Sequence, residues 1–354
     1  MSRPEEIVRR EILALSAYPV ADAAGMVKLD AMELPRPLPE ALRAELAARL
    51  ARCELNRYPD PGARRLRAAL ARTMRVPQGA ALLLGNGSDD LIQVVTLALA
   101  RPGAVVLAPE PTFVMYRLNA VYGGLRFEGA PLRADFTLDR EAFLARMAAL
   151  RPALVWIAYP NNPTGVLYPE ADVEAIVRAA PGFVVVDEAY HAYAGSSFLP
   201  RLAEFPNLGV LRTLSKVGLA GIRLGYLAAQ PQWIAEFDKV RQVYNVNVLT
   251  QTAAEFALEH WEVLAAQARE VLGERARLAA ALAALPGVTV FPSAANFLLV
   301  RVPDAPRVAQ ALRRARVLVR SFHGAHPLLA HCLRVTVGTP EENRILREAL
   351  AVAL

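Results

Sequence analysis

Between about Leu82 and Leu227 the chain alternates short aliphatic runs with amphipathic helical stretches. Few architectures satisfy that pattern. The runs are Ala81 to Leu84, Ala104 to Ala108, Ala153 to Ala158, Phe183 to Val186, Val210 to Thr213 and Gly225 to Ala229. Runs this apolar have no face to turn to water, so they suit strands covered by helices on both sides of a mainly parallel sheet. Five of them are followed closely by polar or glycine-bearing residues: Gly85-Asn86-Gly87-Ser88, Pro109-Glu110-Pro111-Thr112, Asn161-Asn162, Asp187-Glu188 and Ser215-Lys216. Open α/β sheets bind ligands beyond the carboxyl ends of their strands, so these five ends are expected to face one crevice.

The pattern changes after residue 250. An Ala/Leu/Glu/Arg stretch from about Thr250 to Leu285 reads as one or two helices closed by Pro286-Gly287. Val288 to Phe291, Phe297 to Val302, Val317 to Ser321 and Leu333 to Val337 read as strands around a helix near Arg307 to Ala315. The expected architecture is therefore α/β, with a large domain over residues 39–250 and a smaller α+β domain built from residues 1–38 and 251–354.

With 54% apolar and 21% charged residues, the 354-residue chain has ample material for a core and no sign of a disordered tail. Its 40 basic and 34 acidic residues give +6, but the arginines are scattered along helices, which argues against nucleic acid as a partner. Cys53 and Cys332 stand far apart and suggest neither a disulfide framework nor a metal site. His323, His326 and His331 lie close together without carboxylates or cysteines in ligand spacing, so they read as exposed loop residues. The N-terminus lacks an apolar export core, and no apolar stretch nears the roughly 20 residues of a membrane helix, so a cytoplasmic location is expected.

Chemistry concentrates at the strand ends. Gly85-Asn86-Gly87-Ser88-Asp89-Asp90 precedes a helix over Leu91 to Ala100, with Ser88 as its expected N-cap. Free N–H groups there suit an anion, and Asp89 requires that the contact be made by backbone. The third glycine of a dinucleotide fingerprint is missing, which disfavours a nicotinamide dehydrogenase. Asp187 ends an apolar strand, where a buried carboxylate needs a cationic partner, and a protonated heteroaromatic nitrogen is one such partner. Lys216 sits at another strand end, where a lowered pKa would suit an amine to form a Schiff base and carry protons. Seven residues on, Arg223 offers a planar fork for a phosphate. Each residue taken alone also has a bland reading, as a cap, a turn or a surface charge.

In that order, Gly87-Ser88-Asp89, Asn161-Asn162-Pro163-Thr164-Gly165, Asp187-Glu188-Ala189-Tyr190, Ser215-Lys216 and Arg223 resemble the fold-type I pyridoxal-phosphate aminotransferases. Leu55-Asn56-Arg57-Tyr58-Pro59-Asp60-Pro61 and Leu333-Arg334-Val335-Thr336-Val337-Gly338-Thr339 are similar to the histidinol-phosphate aminotransferase family. The resemblance implies transfer of an amino group between histidinol phosphate and 2-oxoglutarate, with glutamate as co-substrate. It implies Lys216 as the cofactor-bearing lysine, Asp187 on the pyridine nitrogen, Asn162 and Tyr190 on the ring hydroxyl, and Phe113 stacked on the ring. Ser88, Asp89, Ser215 and Arg223 would hold the cofactor phosphate, with Tyr58 reaching in from the second subunit of a homodimer. Tyr18, Asn296, Arg320 and Arg334 would line the substrate pocket.

Three departures from the family pattern are visible. Met32-Glu33-Leu34-Pro35 stands where Asn-Glu-Asn-Pro is usual, Phe113 replaces a common tyrosine, and the stretch from Lys216 to Arg223 is one residue shorter than usual. An aromatic amino-acid aminotransferase or a threonine-phosphate decarboxylase fits the same motifs. A non-catalytic regulator on this fold would need a DNA-binding domain, for which the segment before Tyr18 is too short.

Overall fold

The computed structural model describes residues 3–17 and 19–354. Its centre is a seven-stranded sheet whose strands, in spatial order, begin at Ala81, Gly225, Leu208, Phe183, Leu154, Val105 and Arg126. All neighbours run parallel except Gly225–Ala229, which is antiparallel to both Ala81–Gly85 and Leu208–Thr213. Side chains alternate between two apolar layers. Val184 and Val186 join one buried cluster while Phe183 and Val185 join another, and Val155 and Ile157 oppose Leu154 and Trp156 in the same way. Both faces of the sheet are thus packed under helices, as its continuous apolar runs require.

One strand of this sheet went unread in the sequence. Arg126–Pro131 pairs with Val105–Glu110 at the sheet edge, where one side meets no strand. An edge position tolerates its polar residues and its terminal proline, so the apolar run that marks the other strands is missing.

The four-stranded second sheet is built on Phe297–Arg301, Cys332–Thr336, Arg320–Ser321 and Thr289–Val290, all antiparallel. The stretch expected as one strand from Val317 to Ser321 divides at Val319. Val317–Leu318 pairs in parallel with Val27–Lys28, and Arg320–Ser321 pairs with Cys332–Thr336. Thr250 to Leu285 resolves into two helices, Val248–Glu259 and Trp261–Ala283. Leu29 and Met32 pack into the core that underlies the second sheet, so the N-terminal segment crosses from that core to the mouth of the large sheet.

Candidate active site

Five strand ends and the N-terminal segment enclose a cavity of about 360 Å³, in the size range of small-molecule sites. Ser88, Asp89, Phe113, Asn162, Asp187, Tyr190, Ser215, Lys216 and Arg223 all line it, so nine of the residues expected at the site share one space.

Its anion-binding end is formed where the helix Ser88–Ala98 begins. Gly87 is the N-cap, and Ser88 is the first helical residue, not the cap expected from the sequence. Backbone geometry decides this. Gly87 has φ +87°, a conformation that suits glycine, and a Cβ there would stand 2.5 Å from Arg223 Nη2. The empty position lets the guanidinium approach the helix start, while its Nη1 donates to Ser215 Oγ at 3.2 Å. Ser215 is itself fixed, since its N–H donates to Thr213 Oγ1 at 3.1 Å and the Thr213 hydroxyl donates to the Leu224 carbonyl at 3.1 Å. Backbone donors, a hydroxyl and a guanidinium therefore converge on a place suited to a phosphate. The Asp89 carboxyl is raised, first by burial, with Arg223 and Lys216 opposing the rise.

At the other end Asp187 closes the apolar strand Phe183–Asp187 and is only 5% exposed. Its Oδ2 accepts from the Tyr116 hydroxyl at 2.7 Å and its Oδ1 from the Ala189 N–H at 3.1 Å. Burial lifts its carboxyl to about 6, against the two hydrogen bonds that lower it. An anion held there at a cost is matched to a cationic ring nitrogen.

Lys216 lines the same cavity from the short turn Ser215–Val217. Burial, followed by the positive charge of Arg334, brings its amine down to about 8. Its Nζ donates to the Ala31 carbonyl at 3.0 Å, and the Tyr193 hydroxyl grips its backbone carbonyl at 2.6 Å. An amine so lowered is neutral in part near neutral pH and can attack a carbonyl carbon. Behind it the carboxylate of Glu188 is fully buried against Arg212 at 2.8 Å, and it also accepts from the Phe198 N–H and the Ser197 hydroxyl, tying down the turn that carries Tyr190 and Tyr193.

The substrate-side residues are placed less directly. Arg334 is buried, donating to Asn162 Oδ1 at 2.5 Å and to the Asp30 carbonyl at 2.8 Å. It reaches the cavity wall through Asn162. Arg320 donates to the Pro19 carbonyl at 3.3 Å and is absent from the cavity lining, as is Asn296, whose amide donates to the Met32 carbonyl at 2.9 Å. Tyr58 is 79% exposed, stacks on Tyr244 at 4.3 Å, and lies outside this chain's own cavity. Tyr18 lies outside the described residues.

Sequence reasoning missed Tyr116, Thr213, Tyr193 and the carbonyls of Asp30, Ala31 and Met32. Two of these carried a usable signal: Tyr116 lies three residues after Phe113, the N-cap of the helix Val114–Tyr122, and Thr213 ends the strand two residues before Ser215. Three successive carbonyls that bind Arg334, Lys216 and Asn296 leave no side-chain signature. Met32 adopts φ +54° at this crossing, a left-handed conformation where the family's usual asparagine is at ease. The histidine cluster has other work: His323, His326 and His331 each accept a backbone N–H through Nδ1, and His326 and His331 are half-buried rather than exposed. Among the described residues no three His, Cys, Asp or Glu side chains gather as metal ligands, and no helix is long and apolar enough to cross a membrane.

Residues 24–350 match the family model of aminotransferase class I and II, and the chain belongs to that family. Histidinol-phosphate aminotransferase 1 of Burkholderia lata is 58% identical over 355 residues, covering 100% of this chain and 99% of that protein. The protein of the same description from Ralstonia nicotianae is 59% identical over 353 residues, covering 98% of this chain and 94% of its own length. A crystal structure of histidinol-phosphate aminotransferase from Sinorhizobium meliloti, in complex with pyridoxal-5'-phosphate, superposes with a TM-score of 0.86 at 25% identity, covering 98% of this chain and 97% of that one. Within the class, these relatives assign the chain to the histidinol-phosphate aminotransferase branch.

Proposed function

We propose that this chain exchanges an amino group between histidinol phosphate and 2-oxoglutarate with pyridoxal phosphate as cofactor, in the cytoplasm, as a homodimer. The observation that carries the reading is the single cavity lined by the Lys216 amine, lowered to about 8, by the buried Asp187 carboxylate and by Arg223, whose guanidinium lies against Gly87.

The cavity fits the group. Arg223, the Ser215 hydroxyl and the N–H groups of Ser88 and Asp89 would hold its phosphate, Phe113 would pack on the ring, Asn162 and Tyr190 would meet its hydroxyl, and Asp187 would pair with its nitrogen, all of them from the lining of one cavity. When bound, pyridoxal phosphate supplies an aldehyde that condenses with amines and a protonated ring that accepts the electron pair of a broken C–H bond.

The chain's own residues do the rest. Lys216 Nζ, as a neutral amine, would hold the cofactor and would carry the proton that moves during transfer. Asp187 would stay ionised beside a cationic ring nitrogen, and its burial would strengthen that pairing by keeping water away. Arg334, with Arg320 at the outer edge, receives the phosphate of one substrate and the carboxylate of the other, since a guanidinium fork accepts both. Tyr18 completes the substrate side, and Asn296 supports it from behind the cavity wall by holding the Met32 carbonyl. Tyr58, exposed on this chain, completes the partner's cofactor site. Residues 39–250 form the cofactor-bearing domain, and residues 1–38 with 251–354 form the second domain. Two free cysteines, Cys53 and Cys332, suit a reducing compartment.

The test is single-turnover absorbance of the cofactor-loaded protein with one amino donor at a time. Histidinol phosphate and glutamate should each discharge the cofactor's visible band, and phenylalanine should not. A faster response to phenylalanine, or carbon dioxide release from threonine phosphate, would overturn the substrate assignment.

A further inference from the structure

One contact at the base of the cavity has no part in the roles above. Tyr116, in the helix Val114–Tyr122, is fully buried, and its hydroxyl donates to Asp187 Oδ2 at 2.7 Å. Its ring lies parallel to Trp156 at 4.8 Å and 4°, and edge-on to Phe113 at 5.7 Å and 88°. Held by two aromatic neighbours, the phenol can offer its hydrogen from one place only. The second carboxylate oxygen is already engaged by the Ala189 N–H at 3.1 Å, so the carboxylate is pinned at both oxygens.

We infer that Tyr116 is a positioning residue: its hydroxyl fixes the plane of the Asp187 carboxylate and helps keep it anionic, so that it meets the cofactor's ring nitrogen as a formed ion pair. The inference rests on the proposed function, in which Asp187 faces that nitrogen. Its electrostatic logic follows from the surroundings. Burial raises the Asp187 carboxyl to about 6, and the negative charges of Asp89 at the helix start and Glu188 on the adjoining turn push in the same direction. Tyr190 faces the Tyr116 hydroxyl from the same turn, while Lys216 and Arg223 are the cations that face Asp89. Against burial and two like charges, the Tyr116 hydrogen bond is the larger of the two local bonds that favour the anion. Deleting the hydroxyl leaves the burial and the repulsion in place.

Tyr116→Phe keeps both ring contacts and removes only the donor. Urea stability of the cofactor-free protein, followed against pH and differenced against Asp187→Asn in the same Tyr116 background, isolates the Asp187 carboxyl. The wild-type inflection near 6 should move upward by about half a unit or more in Tyr116→Phe. A difluorotyrosine installed at position 116, a stronger donor of nearly the same shape, should move it downward, and it serves if the phenylalanine variant does not fold. The dissociation constant for pyridoxal phosphate at pH 7 should rise about tenfold in Tyr116→Phe, as expected for losing a hydrogen bond to a charged group. Turnover should fall through kcat with KM for histidinol phosphate unchanged. An inflection unmoved by both variants would overturn the inference, and so would a shifted inflection with unchanged cofactor affinity and turnover. Failure of the proposed function looks different: the wild-type protein would not take up pyridoxal phosphate, whatever the inflection does.

Discussion

Replacing Asp187 by Asn should stabilise the cofactor-free protein at neutral pH while crippling the loaded one. In the free protein the carboxyl is raised by burial from 3.8 to about 6, so it is largely ionised at pH 7 at a cost relative to the unfolded chain. At 1.36 kcal/mol per tenfold, that difference amounts to about 3 kcal/mol. The folded state binds this proton more tightly than the unfolded state does. Stability from this group is therefore greatest below about pH 4 and is lost as pH rises through about 6. Asparagine is the same size, carries no charge, and keeps an oxygen for the Tyr116 hydroxyl, but its amide group has no acceptor to replace the Ala189 N–H contact. Leaving that donor unmatched costs about 1 to 2 kcal/mol, so the net gain at pH 7.5 should be about 1 to 2 kcal/mol. Urea unfolding of the cofactor-free wild type and Asp187→Asn at pH 4 and pH 7.5 measures it. The variant should be equal or slightly weaker at pH 4 and stronger at pH 7.5. With cofactor bound the sign reverses, because losing one side of a buried ion pair costs about 3 to 5 kcal/mol. A cofactor-free variant that is weaker than wild type by the same amount at both pH values would refute the reasoning.

Capture of pyridoxal phosphate by the cofactor-free protein should accelerate as pH rises and level off above about 8, as the Lys216 amine loses its proton; stopped-flow absorbance against pH checks this. Gly87→Ala, which forces a Cβ to 2.5 Å from Arg223 Nη2 at φ +87°, should weaken cofactor binding by about tenfold or more, measured by equilibrium titration. Glu188→Ala strands the buried Arg212 guanidinium and should cost about 3 to 5 kcal/mol in urea unfolding, far more than any exposed ion pair on the surface.

Much of the cavity could be foreseen because buried parallel strands leave a strong trace. Phe183 to Val186 is apolar throughout, so the polar residue that follows it, Asp187, stands out as a strand-end group, and the same holds for Ser215 and Lys216. The edge strand Arg126–Pro131 left no such trace, since one side of it needs no partner. At the helix start, propensity favoured Ser88 as the cap, but the close approach of Arg223 requires the residue without a side chain, and Gly87 takes the position. Tyr116 has no strand-end position to single it out. Its hydroxyl gains meaning only from the fold, which brings together residues 71 positions apart. The contacts of Arg334 and Lys216 with Asp30 and Ala31 escaped for a different reason: they use backbone carbonyls, and any residue type supplies one.

The account depends above all on one amine. Treating the cofactor-loaded protein with borohydride fixes the cofactor onto whichever lysine holds it, and mass spectrometry of the digested chain then locates the pyridoxyl group. The label should appear on Lys216 alone. Label on Lys28 or Lys239, or a protein that binds the cofactor yet carries no label, would contradict the account.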